Sequence, residues 1–221
     1  MKLSVLAAGG SLAISSFASA TFTNYSCIRE QFGSLVRYQV FGNFSGPTDT
    51  VLNAFHFSRL SGSAQFHHTD ALTGGVDSTT VGSWNPQFVL SPNDLDSYVC
   101  IGGGVGFASG NSTAADPDWG AAGFNTAQPI FGNGETSGPG WFNQNPPNLQ
   151  GRVNANGQVK LLQYVIAAAD ESLGGVYRLK LGYNDGIPGS SVQFADSTFP
   201  LPTPSAIALL GLAGLTGRRR R

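Results

Sequence analysis

Three histidines are the first residues of this chain whose side chains could bind a metal ion. His67 and His68 are adjacent, and His56 precedes them by a short stretch. A metal site needs imidazoles that converge on one point, whereas adjacent residues of an extended segment face opposite sides. At most one of the pair could therefore join His56, and we expect ordinary core or surface histidines.

Two pairs of aspartates have the spacing of weak calcium sites. Asp94 and Asp96 form one pair, and Asp116 and Asp118 form the other. Two carboxylates in a loop supply the hard oxygen ligands that Ca²⁺ prefers. Neither segment has the full twelve-residue calcium loop, and aspartates also close turns through their own backbone. Turn formation is the expected role, structural calcium is the alternative, and no cofactor is predicted.

Enzymatic chemistry has little support in the sequence. A glycoside hydrolase needs two carboxyl groups facing each other across a groove, but most acids here are isolated aspartates. There is no G-x-S-x-G nucleophile elbow, and Cys100 lies in an apolar segment without an evident partner base. A non-catalytic protein is therefore predicted.

The segment between Gly102 and Asn148 is rich in glycine and proline and also in aromatic residues. An exposed indole stacks on the apolar face of a sugar, while a neighbouring amide can orient the hydroxyls. The candidate glycan-binding residues are Trp119, Trp141, Phe142 and Asn143. The favoured interpretation is that the tryptophans, including Trp84, plug the ends of the sandwich, and glycan binding is the alternative.

Apolar residues that alternate with polar ones, between glycine- and proline-rich turns, predict an all-β domain. The clearest strand is Val176–Tyr183, and further strands are indicated at Val36–Val40, Val51–Phe57 and Ala64–His68. We expect about nine or ten strands in a two-layer β-sandwich of jelly-roll type.

One predicted strand, Gln158–Ala167, changes phase along its length. Val159 and Leu161 occupy one face, but Leu162 and Tyr164 then take over the apolar positions. A β-bulge near Leu161 would account for this slip. The glycine-containing turn that follows predicts a hairpin between this strand and Val176–Tyr183.

The two cysteines, Cys27 and Cys100, are an even number in a chain whose terminal segments predict export. One disulfide between them is predicted on that ground. The alternative is a pair of buried free thiols.

Residues 1–20 have the parts of a signal peptide. Lys2 supplies the positive start, an apolar run follows, and Ala18-Ser19-Ala20 fits a cleavage site. Cleavage there would leave residues 21–201 as the β-sandwich domain, followed by a distinct tail at 202–221.

The tail has three parts in order. A short apolar run, 205–217, is predicted to form a hydrophobic helix and is shorter than the roughly 20 residues that cross a bilayer. A cluster of arginines after such a run stays on the cytoplasmic side. The flanking residues are Pro202, Thr203 and Pro204 before the run and Arg218, Arg219, Arg220 and Arg221 after it.

This order of proline turn, short apolar helix and basic stop resembles the PEP-CTERM sorting signal of exported bacterial proteins. Thr203 stands where that family usually has glutamate. The resemblance implies recognition by an exosortase-type membrane protease, transient anchoring in the inner membrane, and delivery to the cell surface or extracellular space. It is confined mainly to 202–221 and implies no activity for the domain.

The net charge of the domain limits which classes of partner it is expected to bind. Of 12 basic residues, Lys2 and Arg218–Arg221 lie in the terminal segments, so 7 remain against 13 acidic ones and give a net charge of −6. An acidic domain disfavours nucleic acid as a partner. We expect a structural or interaction protein of the envelope and exopolysaccharide matrix, with exopolysaccharide as one candidate partner and the ligand of the domain left open. The alternatives are a carbohydrate-binding module and, less favoured, a glycoside hydrolase.

Overall fold

Nine strands, separated by turns and loops, are found in a computed structural model that describes residues 21–85, 95–103, 112–133 and 136–202. The strands are β1 (Phe22–Phe32), β2 (Leu35–Phe44), β3 (Thr50–Arg59), β4 (Tyr98–Val99), β5 (Thr113–Ala115), β6 (Trp141–Asn143), β7 (Gln158–Ala167), β8 (Val176–Asn184) and β9 (Gln193–Pro200). Three short 3₁₀ helices lie at Pro117–Trp119, Pro146–Asn148 and Ala168–Leu173.

The strands form two antiparallel sheets, which confirms the all-β sandwich. One sheet has the order β1-β2-β7-β4 and the other β5-β6-β3-β8-β9. The core between them is strongly aromatic: Tyr164 of β7 and Tyr177 of β8 lie with ring centroids 5.2 Å apart. Phe57 of β3 stacks near Tyr164 at 6.2 Å. These ring contacts hold the two layers face to face.

The predicted bulge in β7 is present at Leu161. Val40 pairs with Leu162, but the next residue, Phe41, pairs with Lys160. Leu161 is therefore the extra residue, and both leucines are buried. The bulge lets two consecutive apolar side chains enter the core, which is why the sequence pattern slips there.

The predicted hairpin between β7 and β8 is wrong. β7 pairs with β2 and β4, whereas β8 pairs with β3 and β9. The connection is a 3₁₀ helix, Ala168–Leu173, that carries the chain from one sheet to the other. Its Ala168 amide bonds to the Ser34 carbonyl, so the connection begins against β1 and β2 rather than folding back on β7.

The segment predicted as a strand at Ala64–His68 is extended but forms no ladder. Its buried and less buried residues alternate, yet its amides bond to separate partners, such as the carbonyl of Leu173 for Ala64 and that of Val165 for His67. Only His68 forms an isolated bridge, with Ser78. The segment is therefore a loop with strand-like periodicity.

The predicted disulfide is wrong, because both Cys27 and Cys100 are free thiols. Across the first sheet, Cys27 pairs with Val40, Val40 with Leu162, and Leu162 with Val99. Neighbouring strands lie about 4.8 Å apart, which puts the two cysteines on the order of 14 Å from each other. A disulfide needs Cα atoms within about 7 Å.

The predicted signal peptide and most of the predicted tail lie outside the described residues. This applies to 1–20, to the helix expected at 205–217, and to Thr203, Pro204 and Arg218–Arg221. Pro202 is described and directly follows the end of the sandwich. Within the described ranges, no helix has the length and apolar character needed to span a membrane.

Candidate functional site

The two tryptophans predicted to stack on a glycan are buried. Trp141 lies in β6 with no exposed surface, and its indole Nε1 donates to the Cys100 carbonyl at 2.9 Å. Trp119 is 5% exposed, and its Nε1 donates to the Gly140 carbonyl at 2.6 Å. Neither ring presents a face to a sugar, so the stacking role predicted for these two residues is wrong.

The other two glycan candidates divide between surface and interior. Phe142 is partly exposed, because it points away from the core between two inward residues of β6. Asn143 is buried, and its amide oxygen accepts from the Asn145 amide at 2.9 Å while its nitrogen donates to Asn148 at 3.1 Å. Asn143 thus stabilises the surrounding loop, and Phe142 alone remains at the surface.

The predicted calcium pair Asp116–Asp118 forms a turn. Asp116 Oδ1 accepts from the Asp118 amide at 3.0 Å and caps the 3₁₀ helix Pro117–Trp119. Burial raises the pKa of the Asp116 carboxyl above its ordinary value. This is the turn role that the sequence favoured. Asp94, of the other pair, lies outside the described residues, whereas its partner Asp96 belongs to a different cluster.

That cluster consists of His68, Asp70 and Asp96. All three side chains are buried, and one potential ligand atom of each lies within 4.8 Å of the others. It is the one group of three potential metal-binding side chains found within the described parts of the chain. The sequence predicts separate roles for His68 and Asp96 and does not predict that they meet.

Backbone pairing places His68 and Asp70 on one side of their segment. His68 and Ser78 exchange both backbone hydrogen bonds, at 2.8 and 3.0 Å, which keeps this stretch extended. Residues two apart in an extended chain face the same way. Asp96 arrives from the segment before β4, and its Oδ1 accepts from the Thr69 amide at 3.2 Å.

The Asp70 carboxylate is oriented by backbone amides. Its Oδ1 accepts from Leu72 at 2.8 Å and from Thr73 at 3.1 Å, and its Oδ2 accepts from Ser83. Both oxygens are acceptors, which is the pattern of an ionised carboxylate. Each oxygen has two lone-pair sites, so Oδ2 retains capacity for a further ligand.

The His68 ring is fixed by packing and by one hydrogen bond. Its Nε2 lies 2.9 Å from the Ala127 carbonyl oxygen. Trp84 packs edge-on against the ring at 5.4 Å. A Cβ on Gly82 would lie 2.3 Å from Cγ of His68, so the loop needs glycine at that position.

Burial dominates the electrostatics of Asp96. It raises the pKa of the Asp96 carboxyl above its ordinary value, and the nearby Asp70 acts in the same direction, while His68 and the Thr69 amide act to lower it. A buried carboxylate is costly unless a cation or hydrogen bonds compensate it. The arrangement of one imidazole and two carboxylates is suited to holding a cation.

The spacing His68-Thr69-Asp70 was a usable signal in the sequence. The adjacent pair His67–His68 does not indicate this site, because only His68 faces the cluster. His67 faces away and binds Asp77 at 2.6 Å near the surface. His56 lies in β3 and is not part of the cluster. Comparisons with protein-family models, curated proteins and solved structures gave no match to this chain.

Proposed function

We propose that this chain is an exported cell-surface or extracellular-matrix protein with a non-catalytic structural or interaction role. A signal peptide at 1–20 would direct export, and the PEP-CTERM-like tail at 202–221 would direct sorting. An exosortase-type protease is the expected processing partner, after transient anchoring in the inner membrane.

The burial of the tryptophans is the observation that supports this proposal over its alternatives. Trp84, Trp119 and Trp141 all lie in the core. The aromatic loops therefore close the sandwich instead of opening a binding platform, which is the arrangement expected of a scaffold. The two indoles that a carbohydrate-binding role would use, those of Trp119 and Trp141, are buried and cannot stack on a sugar, so the glycan role is not favoured.

The end of the sandwich fits a tail that begins at the domain surface. The Leu201 amide donates to the Gly175 carbonyl at 3.0 Å, and the Leu201 side chain is buried. The Pro202 carbonyl accepts from the Tyr38 hydroxyl at 3.0 Å. The domain thus holds the chain up to the proline turn, and a processing enzyme would meet the motif next to a folded surface.

Sorting is tested in a bacterium that has an exosortase and in its exosortase-deletion strain. The full chain should be shortened at its C-terminus only in the first strain, as measured by intact mass after cell fractionation. Replacement of Arg218–Arg221 by serine should let the protein pass the membrane unprocessed. Replacement of the exposed Arg152 by serine is the matched control and should change nothing. Equal processing of all variants in both strains would exclude the sorting role.

A further inference from the structure

We propose that His68, Asp70 and Asp96 bind one zinc-class divalent ion, which fastens the two ends of the connection between β3 and β4 to each other over the aromatic end of the sandwich. This inference does not depend on the proposed export and sorting. It rests on the hydrogen bonding of the imidazole, on the charge of the cluster and on its dimensions.

The hydrogen bond of His68 fixes where its protons can be. A carbonyl oxygen only accepts, so Nε2, which faces Ala127, must carry a hydrogen. In the neutral ring Nδ1 then holds a lone pair. Within the described part of the protein this buried atom has no hydrogen-bond partner. It lies 3.3 Å from Oδ1 of Asp96. With Nδ1 unprotonated and Asp96 ionised, two electron-rich atoms lie close together inside the protein, an arrangement that a bound cation stabilises.

The charge of the cluster favours a divalent ion over a single proton. The ion pairs of the described residues give neither Asp70 nor Asp96 a lysine or arginine partner. A protonated His68 would balance only one of the two carboxylates and leave Asp70 with backbone amides as its partners. A divalent ion would neutralise both carboxylates, which lowers the cost of burying them.

The dimensions of the cluster fit a tetrahedral ion. Two ligands that are each about 2.0–2.1 Å from such an ion lie roughly 3.4 Å apart, and the separation of Nδ1 from Asp96 Oδ1 is 3.3 Å. The three ligand atoms lie within 4.8 Å of one another, so closing the site requires side-chain movements of about 1 Å. Water would complete the fourth position.

The donor set selects the class of ion. Imidazole nitrogen with carboxylate oxygen suits zinc and its transition-metal neighbours. Calcium takes six to eight oxygen ligands, and this cluster offers two carboxylates. The Nε2 hydrogen bond to a backbone carbonyl is the outer-shell contact that orients a metal-binding histidine.

The ion would connect segments far apart in the chain. His68 and Asp70 belong to the loop after β3, Asp96 precedes β4, and the Ala127 carbonyl comes from the loop before β6. Trp84 contacts each of these regions: its ring packs edge-on against His68, its carbonyl accepts from the Val99 amide in β4, and its amide donates to the Phe124 carbonyl. The site is therefore structural, and its loss should loosen this end of the sandwich.

The test uses the full chain, purified in mild detergent, stripped of metal with a chelator and titrated with ZnCl₂. Bound zinc after gel filtration should approach one ion per chain by elemental analysis. At a hundredfold excess of free zinc over Kd, the Tm should rise by roughly 5 to 10 °C. Co²⁺ should give the intense visible absorption of a four-coordinate site, and CaCl₂ should leave the Tm unchanged.

Three variants locate the site. Asp96→Asn and His68→Gln should weaken zinc binding by more than the roughly 10- to 100-fold lost with an outer-shell partner. His67→Gln is the control, because His67 is next to His68 in the chain but its side chain binds Asp77 outside the cluster. It should bind zinc as the parent does.

Several results would overturn the proposal. A folded parent protein that binds no zinc would mean that a proton bridges His68 and Asp96, and this measurement needs no variant to fold. Zinc binding that survives in Asp96→Asn and His68→Gln, or that is lost in His67→Gln, would place the ion elsewhere. A Tm raised by calcium but not by zinc would exclude the imidazole as a ligand.

Discussion

The hydroxyl of Tyr38 lies 3.0 Å from the carbonyl oxygen of Pro202, the first residue of the predicted tail. The same hydroxyl contacts Oε1 of Glu171, which also binds Arg29 through both carboxylate oxygens at 2.6 and 2.7 Å. A phenol has one proton, so Tyr38 donates to one of its two acceptors at a time. The point where the predicted sorting tail leaves the domain is therefore coupled to a partly buried ion pair.

Tyr38→Phe should lower the free energy of unfolding by about 1 to 2 kcal/mol, because the one proton that Tyr38 donates to either the Pro202 carbonyl or Glu171 is lost. It should also speed hydrogen exchange at the Leu201 amide, which bonds to Gly175 next to this contact. Urea denaturation and exchange measured by NMR would report the two effects.

The matched control for this prediction is Tyr25→Phe. Its hydroxyl donates to the Leu179 carbonyl at 2.8 Å, away from Pro202. The loss in the free energy of unfolding should be similar. Hydrogen exchange at the Leu201 amide, however, should speed up only as much as the lower global stability requires. Equal acceleration at Leu201 in both variants would show that Tyr38 does not hold the domain end.

The Glu171–Arg29 pair should make stability depend on acid pH. Burial acts to raise the pKa of Glu171, but the hydrogen bonds from Arg29 and Tyr38 and the charge of Arg29 outweigh it and leave the pKa below its ordinary value. An acid with a lowered folded pKa stabilises the protein above the unfolded value of about 4.3, and this contribution is lost as pH falls through the folded pKa.

Glu171→Gln removes that contribution. At neutral pH the free energy of unfolding of the variant should be about 2 to 3 kcal/mol lower than that of the parent. Removing one partner of a fully buried ion pair costs roughly 3 to 5 kcal/mol, and the loss is smaller here because Arg29 retains solvent contact. The urea midpoint should also fall less steeply between neutral pH and pH values below about 4. The neighbouring Asp170→Asn should keep the parental slope; an unchanged slope in Glu171→Gln would contradict the prediction.

The alternation of apolar and polar residues made the strands with a regular pattern predictable. β8 alternates without interruption, and the slip at Leu161 marked a real bulge because both leucines enter one core. The partners of β7 and β8 were not predictable, because a strand's own pattern shows which face is buried but not which strand lies beside it. β1 escaped notice because it is an edge strand with mostly exposed, polar side chains.

The candidate metal cluster was only half visible in the sequence for a similar reason. Ala64, Phe66, His68 and Asp70 are buried at alternate positions, so the period that delivers Phe66 to the core also delivers His68 and Asp70. Asp96 joins them only through tertiary folding, which no local pattern encodes. The aromatic loops posed the opposite problem, because composition cannot show whether an indole faces inward or outward.

The two thiols should be unreactive in the folded protein. Burial raises the pKa of both Cys27 and Cys100 to about 12, so at pH 8 the reactive thiolate is on the order of one part in ten thousand. A disulfide exchange reagent should detect almost no thiol in native protein and two per chain in denaturant. Fewer than two in denaturant, from protein exported without reductant, would contradict the free-thiol assignment.

Trp141 and Phe142 are neighbours in β6 that face opposite ways, which makes them a matched pair for testing the aromatic plug. Trp141 has no exposed surface and Phe142 is 37% exposed. Trp141→Ala should cost about 3 to 5 kcal/mol, because it leaves a large cavity beside Phe57 and deprives the Cys100 carbonyl of its donor. Phe142→Ala should cost about 1 kcal/mol or less, because a side chain at the surface leaves little cavity.

Urea denaturation gives both values, and near-ultraviolet circular dichroism would show whether the remaining tryptophans keep their packing. A small loss for Trp141→Ala would mean that the indole does not plug the sandwich, and would remove the main support for the scaffold role.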